Sequence, residues 1–140
     1  MAASTRDTKV WQEAIGLAGD VIRVARQTTR RETKAFTDAM MLTASAVASA
    51  IAEAPTRPSA PEERECYVRA RRSLVAVETQ LAIARVSGII PSSVHAQLAS
   101  RVASLSQRVS NHLNHVERQS VVAVAERSPS AALPLLTDGT

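Results

Sequence analysis

At 140 residues the chain is long enough for one domain with a real core. Aromatics are 2% of it (Trp11, Phe36 and Tyr67), so the apolar content comes from Ala, Val, Leu and Ile, and a core of such small side chains is thin unless copies associate. The formal charge of +4, from 17 basic and 13 acidic residues, permits an acidic partner without requiring one. Cys66, the single cysteine, excludes an intramolecular disulfide, and a partly buried thiol is its plain reading. The first residues have no apolar run of the kind a secretory signal carries, and no window approaches the ~20 apolar residues of a membrane span. The expectation is a soluble cytoplasmic protein.

The elements follow in chain order. A first helix is predicted from about Thr8 to Thr28, with Val10, Trp11, Ala14, Ile15, Ala18, Val21, Ile22 and Ala25 as its apolar stripe. Gly16 and Gly19 within it cost about 1 kcal/mol each relative to Ala, and are expected where another helix crosses closely. A polar break at residues 28–32 leads to a second helix from about Thr33 to Ala54, with Phe36, Met40, Thr43, Val47 and Ile51 inward. Pro55, Pro58 and Pro61 end it, because proline lacks the N–H that a helix interior uses.

Ser59-Ala60-Pro61-Glu62 reads as a capping box opening a third helix that runs to about Ser87. Its Tyr67, Ala70, Leu74, Val77, Leu81 and Ala84 recur at steps of three and four, the pattern of a helix buried against other helices. Gly88 fits the C-terminal cap. A fourth helix carries Val94, Leu98, Val102, Leu105, Val109, Leu113 and Val116 and extends to about Arg127. Residues 1–127 thus form one bundle domain, and residues 128–140, with Pro129 and Pro134, a flexible C-terminal tail. Leu133, Leu135 and Leu136 leave two readings of that tail, a frayed end touching its own bundle or a peptide that docks on a partner. With no strand signal, the fold class is all-α, an antiparallel up-down-up-down four-helix bundle.

Arg64, Arg71 and Arg85 share one seven-residue stripe of the third helix, interrupted by Glu78, with Arg72 beside it. Arg101, Arg108 and His115 form another on the fourth. Arg64, Arg71, Arg72, Arg101 and Arg108 are therefore the candidate nucleic-acid-binding residues, a face able to track a phosphate backbone. The competing reading is a solvated surface in which these arginines pair with nearby glutamates. Glu53 and Glu78 are expected to face inward or toward a neighbouring copy, with Arg69 as a partner, and Trp11 to pack in the core. His112 and His115 are three apart, but two imidazoles without a third ligand make no metal site. No phosphate-binding glycine loop and no activated nucleophile is present, so neither enzymatic activity, metal nor cofactor is expected.

Three phrases carry a family resemblance. Val10-Trp11-Gln12-Glu13-Ala14, Ala46 to Glu53, and Tyr67 through Ser73-Leu74 to Leu81 resemble corresponding phrases of the four-helix-bundle proteins encoded in intervening sequences of bacterial large-subunit ribosomal RNA genes. Gly88-Ile89-Ile90 falls where that family turns between its third and fourth helices. The likeness covers roughly Lys9 to Val116, with Ala48, Ala50 and Ala54 departing from the family's Pro, Asn and Gly, and Met41-Leu42 from a frequent basic pair. It implies a homopentamer without enzymatic activity. The same fold occurs in accessory subunits of diversity-generating retroelements, which bind reverse transcriptase and nucleic acid. By that analogy this chain is a nucleic-acid-binding accessory or scaffold subunit, with RNA, DNA or a reverse transcriptase as partner and no membrane contact. The alternative is a structural adaptor that docks only protein, through its surface or its tail.

Overall fold

A computed structural model describes residues 8–28 and 30–127. Four helices carry the fold: α1 (Lys9–Thr28), α2 (Lys34–Glu53), α3 (Ala60–Val86) and α4 (Ser92–Arg127), with 3-10 turns at Arg31–Thr33 and Ala54–Thr56. Among the described residues there is no strand. The connection over residues 29–33 can reach at most about 18 Å, against roughly 30 Å for the length of α1, so α2 must run back along it. The same limit acts at 54–59 and 87–91. Each helix packs on the next, and α4 closes the ring against α1, giving a four-helix bundle.

Local chemistry sets the helix ends. The Glu62 N–H donates to Ser59 Oγ at 3.4 Å, and the Ser59 hydroxyl donates to the Glu62 carboxylate at 3.1 Å, so the glutamate reciprocates through the hydroxyl rather than the Ser59 backbone. At the other end of α3, Gly88 takes φ +81°. That left-handed residue lets the Ile89 N–H reach back to the Ala84 carbonyl at 2.8 Å, the six-to-one closure that satisfies a helix C-terminus, and Ile90 is then buried.

The core is one cluster drawn from all four helices. The α3 and α4 stripes lie buried as their spacing predicts, with Val94 partly buried. On α1 the buried face is Val10, Ala14, Leu17, Ala18, Val21 and Ala25, so the helix is rotated toward Leu17 and Ile15 points outward. On α2, Thr37 and Ala44 lie inward beside Met40, Val47 and Ile51, while Phe36 and Thr43 sit at the margin. Alanine causes both discrepancies, since it is apolar enough for either side of a helix and leaves the phase of the stripe loosely marked. Thr37 is accommodated because its hydroxyl donates to the Lys34 carbonyl at 3.1 Å.

The glycines of α1 divide. A Cβ on Gly16 would meet the Arg101 guanidinium at 3.1 Å, so a side chain from α4, rather than a backbone, lies across it. Among the described residues nothing lies within 4 Å of the same position on Gly19, so no described helix crosses closely there.

The absence of any membrane-length apolar segment also needs correction. Arg31–Thr56 is long and apolar enough by length and composition to cross a bilayer. Residues 39–52 contain no charged side chain, and alanines raise their hydropathy in small steps that a search for large apolar residues passes over. Met40, Val47 and Ile51 of this segment are buried in the bundle, as in a core helix.

At 36 residues against 27, α4 outreaches α3 by about 13 Å at 1.5 Å per residue. Its buried stripe stops at Val116, and Val121, Val122 and Val124 beyond it are exposed.

Candidate functional site

Four of the five candidate nucleic-acid arginines are already engaged with carboxylates of the same chain. Arg64 Nε lies 2.8 Å from Glu117 and ties α3 to α4. Arg101 reaches Asp20 at 2.7 Å and joins α4 to α1, as does Arg108, whose Nε is 2.8 Å from Glu13 Oε2. That last pair is close in charge but poorly aligned, and neither atom finds a hydrogen-bond partner. Arg72 sits 3.7 Å from Glu65, about two turns back on its own helix. Arg71 is exposed, and among the described residues no carboxylate lies within ion-pair distance of it. Exposed pairs of this kind add at most about 1 kcal/mol each to stability. Their larger consequence is that they cancel the arginine charge of the α4 stripe and that of Arg64 and Arg72 on α3, while Arg71 and Arg85 keep theirs.

Glu53 and Arg69 meet as expected, at 2.5 Å between α2 and α3, with Arg57 Nη1 3.4 Å from the other Glu53 oxygen. The hydrogen bond from Arg69 is the main reason the Glu53 carboxyl is held below its ordinary range. Arg69 also donates to Sγ of the buried Cys66 at 3.3 Å. Glu78 does not face inward: its side chain is exposed on α3. Trp11 is half-buried and packs against the core.

The chain matches the 23S rRNA-intervening sequence protein family over residues 6–111. It belongs to that family. No curated protein matches this intervening sequence protein. Membership accounts for the helical architecture and specifies no reaction.

His112 of the intervening sequence protein lies half-buried on α4 and stacks on Tyr67 of α3, ring centroids 5.5 Å apart and 27° from parallel. Burial pushes its pKa below 6.5, His115 and Arg108 add repulsion, and Glu63 opposes them. Among the described residues no group of three or more ligating side chains is placed to hold a metal ion.

The lowered pKa has a signed consequence. Near pH 6.5 the unfolded chain takes up a proton that the folded chain still refuses, so stability is full above that pH and declines as pH falls toward the folded value. Urea midpoints should drop from pH 7 to pH 5. The drop should shrink in His112→Phe, which keeps an aromatic ring on Tyr67 and removes the titration.

Two surfaces were not anticipated from sequence. The first is the outer side of α2 and α3. Leu42 is 73% exposed, and Ala35, Ala39 and Ala46 are exposed beside it. On α3, Val75, Ile83 and Val86 are exposed, and the two helices are joined where Gln80 Nε2 donates to Thr43 Oγ1 at 3.1 Å. The second is the end of the bundle where the α1–α2 and α3–α4 turns meet. Arg30, Thr33, Ser87 and Gly88 line a cavity of about 450 Å³ there, and Gln27 joins it to a smaller recess of about 310 Å³ beside Arg23 and Arg26. The only sequence signal for it is the Arg30-Arg31 pair in the polar break.

Proposed function

We propose that this intervening sequence protein is a non-enzymatic scaffold that works as a homo-oligomer, with the outer sides of α2 and α3 as the contact between copies. The observation that carries the reading is the exposure of Leu42 on a helix that has no charged residue from position 39 to 52. A helix apolar on all sides is ordinarily buried on all sides, and within one protomer only one side of α2 is covered. An Ala-rich protomer also has little area to bury by itself, and association adds what it lacks. Five copies is the number expected from the resemblance. Glu78, exposed on α3, would then be available to an arginine of a neighbouring copy.

A second reading, a nucleic-acid-binding accessory subunit, is favoured by one observation: arginines without a carboxylate partner gather at the turn end of the bundle. Size exclusion coupled to light scattering tests both readings. The scaffold reading expects a mass several times the 14.9 kDa of one chain, and a monomer at micromolar concentration overturns it. An assembly that gains mass with a short structured RNA and loses it as salt rises supports the second reading. Indifference to RNA at every salt leaves a protein adaptor.

A further inference from the structure

Ion pairing within the chain redistributes its charge. On α3 and α4, Arg64, Arg69, Arg72, Arg101 and Arg108 are all matched by carboxylates. At the turn end, Arg26, Arg30, Arg31 and Arg85 are exposed, and among the described residues none has a carboxylate within ion-pair distance. Asp20 and Asp38, the acids of the neighbouring helical turns, are taken by Arg23 with Arg101 and by Lys34. Glu32 is the one acid left among the four arginines, so the end carries a surplus of three positive charges. The opposite end differs. There Glu62 and Glu63, in the first turn of α3, and Glu126 near the end of α4 have no arginine within ion-pair distance among the described residues.

We infer that the turn end, Arg26, Arg30, Arg31 and Arg85, is a docking site for the phosphate backbone of a nucleic acid, and that the carboxylate-paired Arg64, Arg72, Arg101 and Arg108 are not. The inference rests on the second reading above and relocates its contact surface. Arg30 and Arg31 lie in the α1–α2 connection, and Arg26 and Arg85 in the last turns of α1 and α3. The fold brings these ends together, since Arg30 and Glu32 line one cavity with Ser87, two residues after Arg85, and Gln27 joins that cavity to the recess beside Arg26. Guanidinium forks suit phosphate oxygens, and their exposure keeps them free to follow a groove or a strand. None of the four is paired with an exposed aromatic at this end, Phe36 being partly buried against the core. Contact is therefore with backbone rather than base, indifferent to sequence and steeply dependent on salt.

The test is fluorescence anisotropy on the full chain with a labelled ~20-nucleotide hairpin, made once as RNA and once as DNA, and with polyglutamate of similar length. Four phosphate contacts predict that affinity falls about 100-fold between 50 and 200 mM salt. The fourfold variant Arg26→Gln, Arg30→Gln, Arg31→Gln, Arg85→Gln should lose about 100-fold at low salt and flatten the salt slope by about three. It breaks no ion pair, so its helicity and its assembled mass should stay unchanged. A control with Arg64, Arg72, Arg101 and Arg108 changed to Gln should bind within about twofold of the parent; if that control unfolds, Arg64→Gln with Arg72→Gln replaces it. Binding that survives the turn-end variant and disappears in the control overturns the site while leaving nucleic-acid binding intact. No binding of either hairpin at low salt overturns the reading itself, and polyglutamate bound as tightly as the hairpins overturns the assignment to nucleic acid.

Discussion

Leu74→Ala should lower the free energy of unfolding by about 3–5 kcal/mol, seen as a fall in the urea midpoint with little change in slope. Leu74 is 1% exposed in the middle of α3 and is one of few large side chains fully buried, with Leu17, Met40, Ile51, Leu81 and Leu105. Much of the rest of the core is alanine, including Ala14, Ala44, Ala70 and Ala84, each 0% exposed. Alanine has no rotamer with which to fill a void, so the cavity left by the lost isobutyl group stays open. That places the cost toward the upper part of the range seen for such substitutions. Against a total stability of about 5–15 kcal/mol, one such change removes a large fraction. Ile15→Ala, on the outward side of α1, should shift stability by less than about 0.5 kcal/mol unless it meets a neighbouring copy. A loss at Leu74 no larger than that at Ile15 would mean that the bundle is loosely packed and the alanine argument wrong.

The contrast between those two positions also marks how far the sequence was legible. Helix count, the Gly88 turn and the Ser59 cap could all be read directly, because backbone geometry demands particular residues at a positive φ or at an orphan N–H. The α3 and α4 stripes were equally clear, since large branched residues there stand at strict three-four spacing between charged ones. The inward faces of α1 and α2 were less so. Alanines and glycines flank Ile15 and Leu17 alike, and nothing in the local pattern says which of the two the bundle covers. Function was harder again. A stripe such as Arg64 and Arg71, or Arg101 and Arg108, looks like a phosphate track in one dimension, but the neutralising acids Glu117, Asp20 and Glu13 lie on other helices, dozens of residues away. Only the fold brings them within 3 Å. Conversely Arg26, Arg30, Arg31 and Arg85 share no helical face, and only the meeting of the two turns puts Arg30 on one cavity with Ser87 and Arg26 on the recess beside it.

Leu42→Glu should dissociate the assembly while leaving the protomer folded. The Leu42 side chain is 73% exposed within one chain, so a glutamate there costs the isolated bundle almost nothing, and glutamate is a good helix former. In an interface made of α2 and α3 the same carboxylate would be taken out of water between copies, and residues 39–52 of α2 supply no cation to pair with it. Removing an unpaired charge from water costs several kcal/mol per ion even after relaxation, and a cyclic assembly meets that cost at every contact. Light scattering should therefore give the mass of one chain, about 14.9 kDa, with an unchanged helical far-UV signal. The thermal midpoint gives a second readout. Association stabilises the folded protomer by mass action, so the parent's midpoint should rise with protein concentration, whereas that of Leu42→Glu should not depend on it. An assembly of undiminished mass in Leu42→Glu would place the contact elsewhere. The projecting valines of α4 are then the surface to test, and Val121→Glu with Val122→Glu should dissociate the copies where Leu42→Glu had not.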